Sequence, residues 1–218
     1  PLEILLKQML FSTNFAIRMK LEEKVRAVES LFETLSEELD TFQAQAGFSC
    51  ATGCGKCCEK PGIQASPLEF LPWAFQCFLS GKAEETLDHL NLSTVEICHL
   101  YKTLSLESGS GRCTAYHERG LVCRLFGYAA QRDKLGKLQL VSCKLLKQQS
   151  VAFQKTSQAI QENLPVPVFS DYYLQLAQID FNLGRKIIPI NKAMKLALEE
   201  VLQYYSYRPF PINRKRIA

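Results

Sequence analysis

The chain has 218 residues, of which 47% are apolar and 22% charged; this is the composition of an ordinary soluble globular protein, excludes disorder and collagen-like repeats, and allows one substantial core. A net charge of +4 is spread over segments in which Lys and Arg alternate with Glu and Asp, and only Arg208 and Arg214-Lys215-Arg216 form a one-signed cluster. That cluster reads as a solvated tail rather than a nucleic-acid surface, and no run of 18 apolar residues exists to cross a membrane.

Residues 1–10, PLEILLKQML, are apolar but carry Glu3 and Lys7 and lack a basic start and a small-residue cleavage site, so they read as an amphipathic helix and not a signal peptide. From Leu21 the apolar positions Leu21, Val25, Val28, Phe32, Leu35, Leu39, Phe42 and Ala46 alternate in steps of four and three. That is a heptad seam on one helix, stopped by Gly47. The seam can pack within the chain, the favoured reading, or join two copies as a homodimer.

Four cysteines, Cys50, Cys54, Cys57 and Cys58, then crowd into a loop with Gly53 and Gly55. Ser66-Pro67-Leu68-Glu69 has the cap, first-turn proline and capping-box glutamate of a helix start, Pro72 demands a kink or restart, and the apolar run Phe70 to Leu79 is buried. A short helix is expected from Ala83 to about Leu90. A second capping box at Ser93 to Glu96 predicts another helix up to about Leu104, and Glu107 to Arg112 a flexible turn. Between Cys113 and Ser142 the helical period disappears, which predicts turns with one or two short strands and a hairpin around Asp133 to Gly136. Helices are expected again from Lys144 to about Asn163, Asp171 to Leu183 and Lys192 to about Tyr205, before an extended tail from Arg208. The expected fold is mainly α: a single-domain helical bundle with a cysteine-rich loop region. Within it, 1–47 is an N-terminal helical segment, 48–145 the metal-binding region and 146–218 C-terminal helices with a basic tail.

The chain holds nine cysteines. Most are clustered in a chain with an ample core, unlike the spread cysteines of small disulfide scaffolds, which points to metal ligation in a reducing, cytoplasmic compartment. Cys77 and Cys98 lie in apolar helical patterns and read as buried hydrophobes. Cys50, Cys54, Cys57, Cys58, Cys113, Cys123 and Cys143 fall in loops or at element ends and are the candidate metal ligands. Converging thiolates suit a soft metal, and Cys54-x-x-Cys57 is the usual chelating bite. Lys56, Lys60, Arg112, Arg124 and Lys144 are the expected counter-charges. His117 has a lesser claim as a ligand, and His89 and His99 a weaker one. Neighbouring Cys57 and Cys58 are expected to diverge, one binding metal and the other bridging or remaining free for redox chemistry. No paired carboxylates, phosphate-binding glycine loop or serine nucleophile motif stands out, and whether the chain is an enzyme is left open.

The pattern Cys50-x3-Cys54-x2-Cys57-Cys58 followed by C113-T-A-Y-H-E-R-G-L-V-C-R-L-F-G127 resembles the cysteine-cluster proteins of the YkgJ type. These are zinc- or iron-chelating domains, similar to the cysteine-cluster region of flagellin lysine N-methylases. Cys113, Tyr116, Arg119, Cys123, Arg124 and Phe126 match the second block, and Cys143 fits the later cysteine. Gly120 and Gly127 replace prolines of the family and Ala115 an isoleucine. A further cysteine that the family carries shortly before the second block would fall near Leu104, so the match favours one metal centre or an asymmetric pair. The resemblance implies a cysteine-ligated iron-sulfur or iron centre, with zinc as the alternative, acting in electron transfer or metal-assisted modification with a protein or redox partner. A non-enzymatic zinc module that mediates protein interaction is the competing expectation.

Overall fold

A computed structural model describes residues 19–50, 54–105 and 110–211. The expectations for residues 1–10, Gly53 and the basic triplet at 214–216 lie outside them. The heptad seam folds as α1, Leu21–Ala46, a helix of 26 residues and hence about 39 Å long at 1.5 Å per residue. Glu23 fixes its start by accepting the Lys20 backbone N–H at 2.8 Å, and Gly47 ends it in the left-handed conformation at φ 65°. All eight seam residues are buried within this one chain. The first six join the main core, whereas Phe42 and Ala46 join a second cluster with Phe48, Leu146 and Ile160. One helix therefore spans both cores.

The capping box at Ser66 forms a 3-10 turn, Pro67–Phe70, and α2, Leu71–Leu79, restarts after it with Pro72 in the first turn, where its missing N–H costs nothing. α3 is Ala83–Leu92. The helix expected from Ser93 does not form. Asn191 claims that segment instead: its carboxamide accepts from His99 N at 2.8 Å and donates to the Val95 and Ile97 carbonyls at 2.9 and 2.8 Å, which takes the groups a helix would use. The chain then enters β2, Tyr101–Ser105, antiparallel to β3, Ser110–Cys113, with Tyr101 opposite Cys113. Residues 110–112 of the expected turn thus belong to a strand, and 106–109 lie outside the described residues.

A short helix that periodicity did not reveal, α4, Leu121–Leu125, precedes the expected hairpin of β4, Ala129–Arg132, and β5, Leu138–Val141. Asp133 Oδ1 organises the hairpin turn by accepting from Leu135 N and Lys137 N at 2.8 and 2.9 Å. The helix expected from Lys144 is two, α5, Lys144–Gln148, and α6, Ser150–Gln161. The one expected from Asp171 is also two, α7, Phe169–Ile179, and α8, Phe181–Gly184, because Asp180 leaves helical geometry to cap Asn182 N and Leu183 N. β6, Ile188–Pro189, pairs with β1, Gln64–Ala65, and leads into α9, Ile190–Tyr205. α9 packs on α2 and α3, while α1 packs on α2, α6 and α7. The architecture is mainly α with three short antiparallel strand pairs among the described residues. No helix among these residues is long and apolar enough to cross a membrane.

Lys24 is the one cation buried along the α1 seam: its Nζ lies 2.5 Å from the Asp180 carboxylate and 3.9 Å from that of Glu200. Removing it leaves the partly buried Asp180 and Glu200 carboxylates without their cation and empties a buried stem, so Lys24→Ala should lower the unfolding free energy by roughly 1–3 kcal/mol. Lys195, half-exposed and 3.8 Å from Glu199, should cost less than about 0.5 kcal/mol when changed to alanine. Urea denaturation of the two variants checks the contrast, and equal losses would contradict it.

Candidate metal centre

Three separate devices bring the cysteine segments together. The first holds the exit from α1. Thr156 Oγ1 donates to the Ala46 carbonyl at 2.5 Å, Gln149 Nε2 to the Ser49 carbonyl at 3.0 Å, and the Cys50 N–H to the Tyr128 hydroxyl at 2.6 Å, with Phe48 stacked on the Tyr128 ring. Cys50 is thereby fixed over the β4–β5 hairpin and α5. Cys143 caps α5, and its Sγ accepts from Leu146 N at 3.5 Å.

The second device is a pair of glycines. Cys54 to Cys58 form a turn closed by Cys58 N–H to the Gly55 carbonyl at 2.9 Å, with Gly55 at φ 59°. A Cβ at Gly55 would collide with the Gly111 carbonyl, and one at Gly111 with the Tyr101 ring. The cysteine turn can lie directly on β3 only because both positions lack side chains, and this sets it beside Cys113.

The third device is a buried carboxylate. Glu69 has no exposed surface. It accepts from Ser66 N at 2.6 Å, from Val122 N at 2.7 Å and from the Tyr173 hydroxyl at 3.1 Å. It therefore ties the capping box to the first turn of α4, which carries Cys123, and to α7. Gly120, ahead of α4, permits the approach: a Cβ there would lie 2.7 Å from Glu69 Oε2 and 2.8 Å from the Phe70 ring. A proline, which carries a Cβ, would meet the same atoms.

The nine cysteines are all free thiols. Cys50 lies within electrostatic reach of Cys54, Cys57 and Cys143, and its pKa is pushed up to about 11 by burial and then by those neighbours. The adjacent pair does not diverge as expected. Cys57 accepts a hydrogen bond from Cys58, which brings the Cys57 thiol down to about 6 and pushes the Cys58 thiol up. Burial raises Cys113 and, far more, Cys123, and Cys57 acts on both.

Cys98 has the burial the sequence implies but a different local setting. It lies in the coil held by Asn191 and not in a helix, and its carbonyl accepts from Tyr101 N at 2.9 Å, Tyr101 being the residue that pairs with Cys113 across β2–β3. It acts electrostatically on Cys58 and Cys123 and is acted on by Cys113 and Cys57. Cys77, by contrast, is influenced by Glu118 and Lys82 and stands apart from the sulfurs. The Asn191 contact, 93 positions away in sequence from Cys98, is the signal that no local pattern carries.

The counter-charges are also rearranged. Lys56 pairs with Glu59 at 3.1 Å. Arg124 donates to the His117 and Arg119 carbonyls at 2.5 and 3.1 Å and lies over the Phe32 ring at 4.4 Å, so it clamps the 117–119 turn onto α1. Lys60, Arg112 and Lys144 are exposed, as is His117. Arg119, stacked on Tyr116 at 4.0 Å with a buried, unpartnered Nε, is the cation whose charge favours ionised Cys57 and Cys113.

No family model, curated protein or solved structure matches the chain. Among the described residues, no three His, Cys, Asp or Glu side chains converge on one point as an ion's ligands do. The donor set nevertheless has the chemistry of a soft-metal site. Its sulfurs come from segments far apart in sequence, and neighbouring thiols raise the cost of ionising Cys50, Cys58, Cys98, Cys113 and Cys123.

Glu69 yields a pH test. Burial pushes its pKa from 4.5 to about 7 against the pull of its backbone and Tyr173 donors. Because the folded value lies above the unfolded one, its contribution to stability is complete below about pH 4.5 and is lost as pH rises through about 7. Wild-type stability should therefore fall by on the order of 2 kcal/mol between about pH 5 and 8 relative to Glu69→Gln, in which that component is absent. Urea denaturation at both pH values measures it, and parallel behaviour of the two proteins would contradict the assignment.

Proposed function

We propose that the chain is a cytoplasmic metal-binding protein in which Cys50, Cys54, Cys57, Cys58, Cys113, Cys123 and Cys143 supply the thiolates of an iron-sulfur or iron centre. The observation that carries the reading is the gathering of thiols from the 50–58 turn and the 113–143 region against their own repulsion. Partial burial and neighbouring sulfurs raise the cost of ionising Cys50, Cys113 and Cys123, and a bound cation would reverse that cost. When present, such a centre supplies one-electron or Lewis-acid chemistry. The chain's own residues hold it: Leu146 N–H bonds the Cys143 sulfur, Arg119 offsets charge near Cys57 and Cys113, and Glu69 fixes the helix of Cys123. Redox exchange with a protein partner or metal-assisted modification is the activity this composition suits. The free thiols and the resemblance to the YkgJ-type cluster point the same way.

A specific observation favours a structural zinc module as the second reading. Between Cys54 and Lys60 no side chain is buried, so the turn has no apolar anchor of its own and coordination bonds would serve in place of a core.

Anaerobically purified protein should carry stoichiometric metal. Broad visible absorbance with iron and sulfide is the expected result, and colourless protein holding zinc would select the second reading. Cys123→Ser should release metal or bleach the chromophore, whereas Cys77→Ser should leave metal content intact. The reverse pattern, or a protein with no metal under any condition, would overturn the proposal.

A further inference from the structure

We propose that the groove along α7 and α8 docks an amphipathic helix of a protein partner, seated by apolar side chains and by a carboxylate on Arg185. The inference stands on the shape and charge of this face and holds whether or not the cysteines bind metal.

α7 has more apolar surface than the core uses. Tyr172 and Leu176 are buried in the core, yet Phe169, Tyr173 and Ala177 form a second row and Leu174 lies in a third. A helix that served the core alone would need only the first of these stripes. The surplus rows line a groove of about 1000 Å³ together with Val122, Phe181 and Ile187. Leu174 and Phe181 are each 62% exposed and Ile187 50%. Single exposed apolar residues are ordinary, but several around one groove mark a binding surface.

The exposure is built into the backbone. α8 is held by the Asp180 carboxylate, which accepts from Asn182 N and Leu183 N at 3.0 Å each and pairs with Lys24. The Ser66 hydroxyl donates to the Leu183 carbonyl at 2.8 Å. Gly184 lets α8 lie directly on α7, since a Cβ there would come within 2.7 Å of Ala177 Cα. Tyr173 is anchored through its hydroxyl to Glu69. Phe181 is thus presented to water from a fixed position, and a groove ordered beforehand loses little conformational freedom on binding.

Spacing and charge define the occupant. Phe169, Tyr173 and Ala177 are four apart, as are Ser170, Leu174 and Gln178. Two such neighbouring rows are ridges with a groove between them, which accepts a ridge of another helix. Arg185 lines the same groove, its guanidinium 4.6 Å from the centre of the Phe181 ring, and among the described residues it is in no ion pair. The two acids between residues 169 and 185 are taken, Asp171 by Arg132 and Asp180 by Lys24. No carboxylate lines the groove. A free cation beside an apolar floor therefore matches a helix that brings its own carboxylate. Because Val122 precedes Cys123, a helix seated here lies beside the cysteine-rich region.

The test uses the full-length reduced protein and two fluorescein-labelled synthetic amphipathic helices of about 16 residues, the length that spans α7 and α8. Both carry leucines in steps of four and three; glutamates flank the leucine stripe in one and lysines in the other. Fluorescence anisotropy should show the glutamate peptide binding at least about tenfold more tightly than the lysine peptide. Arg185→Glu should reverse that preference, a gain of binding that misfolding cannot produce. Phe181→Ser and Leu174→Ser should each weaken the glutamate peptide by at least about tenfold. Leu135→Ser, at a site 82% exposed on the β4–β5 turn, should leave it unchanged. Equal binding of the two peptides, binding that survives the groove variants, or no binding would overturn the inference. So would sedimentation in which wild type dimerises and Phe181→Ser is monomeric, because the occupant would then be a second copy of this chain.

Discussion

The buried carboxylate of Glu69 is the interaction on which the rest of the arrangement depends. It sits where the capping box, α4 and α7 meet, and it gives each of them an acceptor that water cannot supply. Each of these hydrogen bonds is worth about 0.5–1.5 kcal/mol, and leaving one of the buried donors unmatched costs about 1–3 kcal/mol. The carboxylate therefore selects one relative placement of three elements. Cys123 lies one residue beyond Val122, whose N–H it holds, so that sulfur inherits its position from a polar contact in the core. Gly120 is the steric condition for that contact, because no side chain fits between Glu69 and the turn before α4.

Around that fixed point the cysteine-rich region is built from segments with little core of their own. The 54–60 turn buries no side chain, and β2–β3 and β4–β5 are two-stranded pairs, which are marginal in isolation. Their positions come from side-chain to backbone bonds made by residues elsewhere: Asn191 from α9, Gln149 and Thr156 from the α5–α6 segment, and Tyr128 from the approach to β4. A rigid bundle thus carries a group of loops whose cysteines are held near one another without being closed into a site.

What was legible in the sequence was local. The α1 seam, the Ser66 capping box, the restart at Pro72 and the hairpin at Asp133 are each written within a few residues, and each formed. The helix predicted from Ser93 failed because Asn191 outbids the local capping signal for the same backbone groups. Cys98 is buried in the main core as its apolar neighbours imply, but on a coil held by Asn191 and not on the helix its local pattern suggests. Arg124 looked like a counter-ion because it follows Cys123. Its guanidinium goes instead to two carbonyls and the Phe32 ring, and Arg119 takes the electrostatic role. In each case the deciding partner is distant in sequence, where periodicity and motif spacing carry no information.

The central claim, that these gathered thiols share metal, is tested most directly by X-ray absorption at the metal edge of protein purified without oxygen. The account predicts a first shell of about four sulfurs near 2.3 Å, with oxygen and nitrogen scatterers absent from it. A shell dominated by oxygen or nitrogen, or protein isolated and reloaded without any bound metal, would contradict it.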